Sequence, residues 1–271
     1  MAKYLLNSLK YLEKFKEEDS VVITDIDGTI SEIGPEPKNA TITPEMRNLL
    51  LDLSSKYKYI GVLTGRDIND AIDIIKLEKI VYMGNHGLQQ IKNGKIITDP
   101  RIESYIPIIK EISRELHQRF ENITGISFNY KKLSLTVHYN NCNSKNKAKK
   151  ELLNTIYNLK KGKLVKIIEG RELLEIRPPV GYDKGSVLHE FISENHIKKI
   201  IYIGDDINDI SAFRKLKELS EKNEVKGISI AVNSIGTPEE VKESANFYVE
   251  NVKETYNFLE WLSDHNDTHS N

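Results

Sequence analysis

Short apolar runs rich in β-branched residues alternate with helix-forming segments at both ends of this chain. That alternation limits the folds open to it. "SVVITDID" (20–27), "YKYIGVLTG" (57–65) and "KIVYMGNHG" (79–87) have the composition of buried strands. Between them, "TPEMRNLLLDLSSK" (43–56) and "RDINDAIDIIK" (66–76) have helical periodicity. Thr43 serves as an N-cap and Pro44 fits the first helical position. The rhythm returns late, with a helix over 184–195, a strand over 198–206, a helix over 207–217 and a strand over 226–233. "TPEEVKESA" (237–245) repeats the Thr-Pro helix start. Strands alternating with helices in this way predict an α/β fold, a mostly parallel sheet covered by helices.

The middle of the chain breaks the rhythm. A long helix over 103–120 precedes two alternating strands, "ISFNYK" and "LSLTVHYN". A helix over 144–162 precedes "KLVKIIEG" and "RELLEIRP". This αββαββ order predicts a separate antiparallel module inserted into the parallel core, with helices on one sheet face. The boundaries expected are 1–100 and 181–271 for the core and 101–180 for the insert. "KNGK" (92–95) marks a hairpin near the junction. Within the insert, Leu133, Leu135, Val137 and Tyr139 share one face; Ser134, Thr136, His138 and Asn140 share the other. Lys131, Glu175 and Arg177 fall on that polar face, which is either ordinary solvated surface or a hydroxyl-recognising lid.

Charge excludes some partners. Lys+Arg total 39 and Asp+Glu 40, for a net charge of −1, so no basic field suggests nucleic acid. Cys142 is the one cysteine, which rules out an intramolecular disulfide and argues against a cysteine metal cluster. No apolar run approaches the roughly 20 residues that span a bilayer. A soluble cytoplasmic protein, monomeric or weakly homo-oligomeric, is expected. Leu5, Leu9, Leu12 and Phe15 recur at helical spacing and predict an amphipathic N-terminal helix. The polar end 263–271 is expected to be a loose tail.

The chemistry gathers where core strands end, the place ligands bind in α/β sheets. Asp25 and Asp27 follow Val21–Ile23, Thr64 follows the second strand, and Lys184 opens a helix. Asp205, Asp206 and Asp209 follow a later apolar strand. A carboxylate pair at the end of a buried strand is costly without a partner. If these ends converge, the acids suit a hard cation, Mg²⁺ rather than Zn²⁺, and the donors suit a phosphate.

"DIDGT", "LTGR", the Lys184–Gly185 pair and "GDDIND" resemble the four ordered motifs of the haloacid dehalogenase-like (HAD) phosphatase superfamily, and the insert resembles its large type-two cap. The resemblance implies a Rossmann-like core and an aspartyl-phosphate intermediate on Asp25. Asp27 would protonate the leaving oxygen and then activate water. Thr64, the backbone N–H groups around Ile26 and Gly65, and Lys184 would hold phosphate oxygens, with Arg66 near them. Asp25, the Asp27 carbonyl, Asp205 and Asp206 are the implied Mg²⁺ ligand candidates, with Asn208 and Asp209 in support.

Further pieces are similar to trehalose-6-phosphate phosphatases. "GNHGLQ" (84–89), "KKLSLTVHY" and "LLEIRPP" match that family's turn and cap strands at His86, Lys131, His138, Tyr139, Glu175 and Arg177. Lys131 and Glu175 would then bind sugar hydroxyls, and His86 the substrate or cap. Asn140 stands where the family has Arg, and Gln89, Asn129, Asn208 and Ile210 also depart from it. Asn cannot supply a charged fork, which leaves the sugar open. The implied activity is hydrolysis of trehalose 6-phosphate. Alternatives are a phosphatase of mannosylglycerate phosphate, sucrose phosphate or a glucosylglycerol-type phosphate, a phosphomutase, or a non-catalytic sensor. Residues 98–102 and 178–183 are hinge candidates.

Overall fold

The computed structural model describes residues 2–33, 40–170, 172–179, 181, 183–234 and 236–264. The chain divides into two compact units, residues 1–97 with 182–271, and residues 98–181. The first unit begins with β1 (Lys3–Tyr4) and β2 (Ser20–Thr24), then α1 (Pro44–Lys56), β3 (Tyr59–Leu63), α2 (Ile68–Ile75), β4 (Val81–Gly84), β5 (Gln89–Lys92) and β6 (Lys95–Thr98). The second unit holds α3 (Pro100–Glu103), α4 (Ile106–Phe120), β7 (Ser127–Lys131), β8 (Ser134–His138), α5 (Lys145–Asn158), β9 (Lys166–Gly170) and β10 (Leu173–Arg177). The chain returns to the first unit through α6 (Lys184–Glu194), β11 (Lys199–Gly204), α7 (Ile210–Glu221), β12 (Lys226–Val232), α8 (Glu239–Ser244), β13 (Phe247–Val249) and α9 (Val252–Ser263).

The first unit's sheet runs β1-β13-β12-β11-β2-β3-β4-β5-β6. From β1 to β4 every neighbouring pair is parallel; β5 is antiparallel to β4. The β5–β6 hairpin turns through Asn93 and Gly94, at φ 54° and 72°, the positive angles such a tight turn demands. Alternation along β2 feeds two cores. Val22 joins Leu50, Leu53, Ile201, Ile203 and Phe258 on one face. Val21 and Ile23 join Val187, Leu188, Tyr202 and Phe213 on the other. Both faces are therefore covered, as a parallel sheet requires. The chain moves outward from β2 through β3 and β4, then restarts at β11 on β2's other side. That reversal makes the carboxyl ends of β2 and β11 the topological switch point, the place where open α/β sheets bind their ligands.

The second unit's sheet, β7-β8-β10-β9, is antiparallel. Leu135, Val137, Leu174 and Ile176 pack on Ile109, Ile112 and Leu116 of α4 and Leu152 and Ile156 of α5. The opposite face carries cross-strand rows: Glu175 and Asn129 both pair with Thr136, Lys131 pairs with Ser134, and Arg177 pairs with Lys166.

Four local expectations change. Leu5, Leu12 and Phe15 are buried, but the N-terminal segment is not an α-helix. Tyr4 pairs with Tyr248 at the sheet edge, and 3₁₀ turns follow at Leu9–Tyr11 and Glu13–Phe15. The open edge of β13 offers backbone partners that outweigh helical periodicity. The helix expected over 66–76 begins only at Ile68, because the Asp67 side chain caps Asn69 N. The helix expected over 103–120 is two helices, with Pro107 in the first turn of α4, where its missing N–H is tolerated. The helix expected over 207–217 opens as a 3₁₀ turn, Ile207–Asp209, before α7. Residues 180 and 182 of one hinge candidate and 265–271 of the expected tail lie outside the described residues. No helix among the described residues is long and apolar enough to cross a membrane.

Candidate active site

Asp25 is the first residue beyond β2, and its backbone N–H still donates to Ile203 of β11, at 2.9 Å. The side chain is thereby fixed at the sheet's reversal point. Its Oδ1 accepts from Ile26 N at 2.7 Å and its Oδ2 from Lys184 Nζ at 2.6 Å. Lys184 opens α6 and is 2% exposed. Its ammonium also reaches Asp209 Oδ1 at 2.7 Å. Asp209 ends the 3₁₀ turn and is fully buried. Its Oδ2 accepts from the N–H groups of Asp205 and Asp206, at 3.1 and 3.0 Å, which holds the loop after β11 in place.

Asp205 completes a cluster with Asp25 and Asp209, in which one oxygen from each lies within 4.8 Å of the others. Thr29 Oγ1 donates to Asp205 Oδ1 at 2.9 Å. Gly28 makes the approach feasible. A Cβ there would sit 2.1 Å from Asp205 Oδ2, and its φ is +71°. Within this cluster the buried Lys184 ammonium bridges Asp25 and Asp209, while Asp205 is held by Thr29. Burial, with Asp25 and Asp209 close by, pushes Asp205 up to about 8. Burial likewise raises Asp25, although Lys184 opposes it. Burial alone would depress the Lys184 ammonium, but Asp209 and Asp25 together hold it above its ordinary value. The raised Asp205 and Asp25 register the cost of crowding carboxylates together, and the donors that meet here are all oxygen. That is the chemistry of a site for a hard divalent cation.

A model of the trehalose-phosphatase family matches residues 23–253 of the chain. The chain belongs to the trehalose-phosphatase family. It is a phosphoric monoester hydrolase. It is similar to the probable trehalose-phosphate phosphatase 3 of Oryza sativa subsp. japonica, 29% identical over 277 residues, covering 91% of this chain and 70% of the rice protein. Its fold is like that of the trehalose-6-phosphate phosphatase C-terminal domain of C. albicans, with a TM-score of 0.77 at 18% identity, covering 97% of this chain and 99% of that one. It is also like that of a haloacid dehalogenase-like hydrolase from Bacteroides thetaiotaomicron, with a TM-score of 0.63 at 15% identity, covering 90% and 99%.

In this phosphatase the remaining expected residues fall into three places. Asp27 is not among the clustered acids. Its carboxylate accepts from Arg66 Nε and Nη2, each at 2.5 Å, and that fork raises Arg66 above its ordinary value. Thr64, 1% exposed, is pinned by its N–H to Met83 at 2.9 Å, and its Oγ1 accepts from Arg66 N at 3.2 Å. His86 N donates to Thr64 O at 2.8 Å, and the His86 ring lies where a Cβ on Gly65 would come within 2.8 Å of it. Asn85, His86 and Gly87 all have positive φ, at 49°, 57° and 91°, an unusual run for residues with side chains. Asp206 is exposed and accepts from Ile207 N at 2.6 Å and Asn208 Nδ2 at 2.9 Å, so its carboxylate caps the turn and is not among the clustered acids. Lys131 and Glu175 lie on the polar sheet face of the second unit.

Three supporting residues have no role in the motif assignments. Thr29 holds Asp205, Tyr202 Oη donates to Asp209 Oδ1 at 2.5 Å, and Asn85 Nδ2 donates to Gln89 Oε1 at 2.5 Å. Gln89 Oε1 also accepts from Ile68 N at 3.2 Å, which ties the turn at 85–89 to the start of α2. Tyr202 carries a signal in the sequence: a phenol inside an apolar strand needs a hydrogen-bond partner.

Proposed function

We propose that the chain hydrolyses trehalose 6-phosphate to trehalose and phosphate in the cytoplasm. The observation that carries this reading is the buried Asp25–Lys184–Asp209 chain beside Asp205, at the point where an α/β sheet binds its ligand. Family membership supports the sugar. Asp25 is the nucleophile: a carboxylate oxygen attacks phosphorus, the bond from phosphorus to the sugar oxygen breaks, and Asp27 gives that oxygen its proton. Water then attacks the aspartyl-phosphate, Asp27 takes its proton, and phosphate leaves with Asp25 restored. Lys184 and Thr64, with the N–H groups of Ile26 and Gly65, hold the charge on the equatorial oxygens; Lys184 is oriented for this by Asp209. Arg66 and His86 border the same loop. Bound Mg²⁺, held by Asp25, Asp205 and the Asp27 carbonyl, would offset repulsion between nucleophile and phosphate.

The polar face of the second unit supplies sugar recognition in this reading, with Lys131 and Glu175 binding hydroxyls. Asn140, exposed just beyond β8, favours a second reading, a phosphatase of a different disaccharide phosphate. Phosphate release from a panel of sugar phosphates, with Mg²⁺, tests both. The first reading requires the highest kcat/KM on trehalose 6-phosphate and loss of turnover in Asp25→Asn. Release from another sugar ester alone overturns the assigned substrate, and full activity in Asp25→Asn overturns the assigned nucleophile.

A further inference from the structure

Tyr202 is fully buried in the middle of the apolar strand β11. Its ring meets Phe213 of α7 edge-on, with centroids 5.9 Å apart. Its hydroxyl ends on Asp209 Oδ1, the oxygen that also receives the Lys184 ammonium. Asp209 Oδ2 receives two backbone N–H groups. A carboxylate offers about four lone-pair sites. All of them are taken here, the last by Tyr202. The site is built closely around that arrangement: a Cβ on Gly204 would lie 2.3 Å from the Asp209 carboxyl carbon. Burial and the facing Asp209 carboxylate push the Tyr202 hydroxyl well above its ordinary value, so it remains a donor.

Asp209 has the position of a metal ligand, within 4.8 Å of oxygens on Asp25 and Asp205. What withholds it is saturation by donors, not distance. We propose that Tyr202 is a positioning residue that keeps Asp209 committed to Lys184 and out of the cation's ligand set, and so sets the site's preference for a small cation. The inference rests on the metal-dependent phosphatase reading above. With the hydroxyl gone, Asp209 Oδ1 regains a lone pair and can turn toward the cation. Ca²⁺, which takes six to eight oxygens in flexible geometry, gains more from a third carboxylate than Mg²⁺, which keeps several waters. Lys184 in turn loses its fixed second acceptor.

The experiment is Tyr202→Phe, with cation binding measured by calorimetry on substrate-free protein and turnover measured separately. Expected is Ca²⁺ binding tightened about tenfold relative to Mg²⁺, from the added ligand charge. The kcat with Mg²⁺ should fall about tenfold, as for one hydrogen bond to a charged acceptor, with KM within twofold. A merely structural phenol would weaken both cations alike or leave both unchanged. Phe213→Leu, which removes the ring's packing partner and keeps the hydroxyl, should lower the melting temperature without altering the Ca²⁺-to-Mg²⁺ ratio. An unchanged ratio in Tyr202→Phe, a ratio that moves equally in Phe213→Leu, or a Tyr202→Phe chain that does not fold overturns the role assigned to Tyr202. A wild-type protein that binds neither cation overturns the metal-dependent reading as well.

Discussion

Arg66 and Asp27 meet through two hydrogen bonds of equal length, Nε to Oδ2 and Nη2 to Oδ1, each 2.5 Å. This paired geometry fixes both the direction and the distance of the carboxylate. The Asp27 side chain is partly exposed, at 36%, while Arg66 is largely covered, at 12%. The fork therefore aims a carboxylate that would otherwise rotate freely. Arg66→Ala is expected to lower kcat on an alkyl sugar phosphate about tenfold or more, within the range of general acid–base catalysis. Hydrolysis of para-nitrophenyl phosphate, whose leaving group needs no proton, should change far less. Arg66→Lys keeps the charge and loses the fork, so it should fall between the two. Equal losses on both esters would assign Arg66 to the phosphate instead of to Asp27.

Gly28 is where the backbone passes closest to the Asp205 carboxylate. A methyl there meets Asp205 Oδ2 at 2.1 Å and must sit at φ +71°. Gly28→Ala is expected to cost about 1–2 kcal/mol from the left-handed backbone alone. It should also push Asp205 out of the cluster. The melting temperature should drop modestly while Mg²⁺ affinity drops at least tenfold. Unaltered Mg²⁺ binding in a folded variant would mean that Asp205 is not a ligand.

Removal of the metal should show in stability as well as rate. Asp25, Asp205 and Asp209 lie together, with the Lys184 ammonium paired to Asp25 and Asp209, so a bound divalent cation would relieve the repulsion among the three carboxylates. Any ligand that binds only the native state stabilises it by mass action. Addition of Mg²⁺ to EDTA-treated protein is expected to raise the melting temperature and restore turnover, and Zn²⁺ should do so poorly. A melting curve indifferent to millimolar Mg²⁺ would contradict the assignment.

Glu175 tests the second unit. It pairs across strands with Thr136 and Ile168 on the polar face. If that face binds sugar, Glu175→Ala should lower kcat/KM for the sugar phosphate by a large factor, on the order of 10²-fold, the cost of leaving sugar hydroxyls unpaired. It should leave para-nitrophenyl phosphate nearly unaffected, because remote binding energy acts only when the remote group is present. Parallel losses on the two substrates would point to folding, and no loss on either would make the face plain solvated surface.

Much of the fold could be read in advance because it follows from local rules. Val21–Ile23 and Ile200–Ile203 are buried runs of strand length, and Leu135, Val137, Leu174 and Ile176 alternate with polar neighbours. The N-terminal segment escaped such rules: Leu5, Leu12 and Phe15 satisfy helical spacing, yet their burial is achieved by a sheet edge and two 3₁₀ turns. Periodicity states which residues are buried and leaves open which backbone buries them.

The same division runs through the site. Sequence alone determined that Asp25, Thr64, Lys184, Asp205 and Asp209 stand at strand and helix ends, because the end of an apolar run is a local property. Tertiary structure decided how they are partnered. Lys184 reaches Asp25 across 159 residues; Asp209 takes the Tyr202 hydroxyl; Asp27 goes to Arg66; and Asp206, adjacent to Asp205, faces outward to cap a turn. No spacing rule separates Asp205 from Asp206. What separates them is desolvation. A buried carboxylate such as Asp205 must find donors or a cation, whereas exposed Asp206 can be satisfied by its own turn and by water.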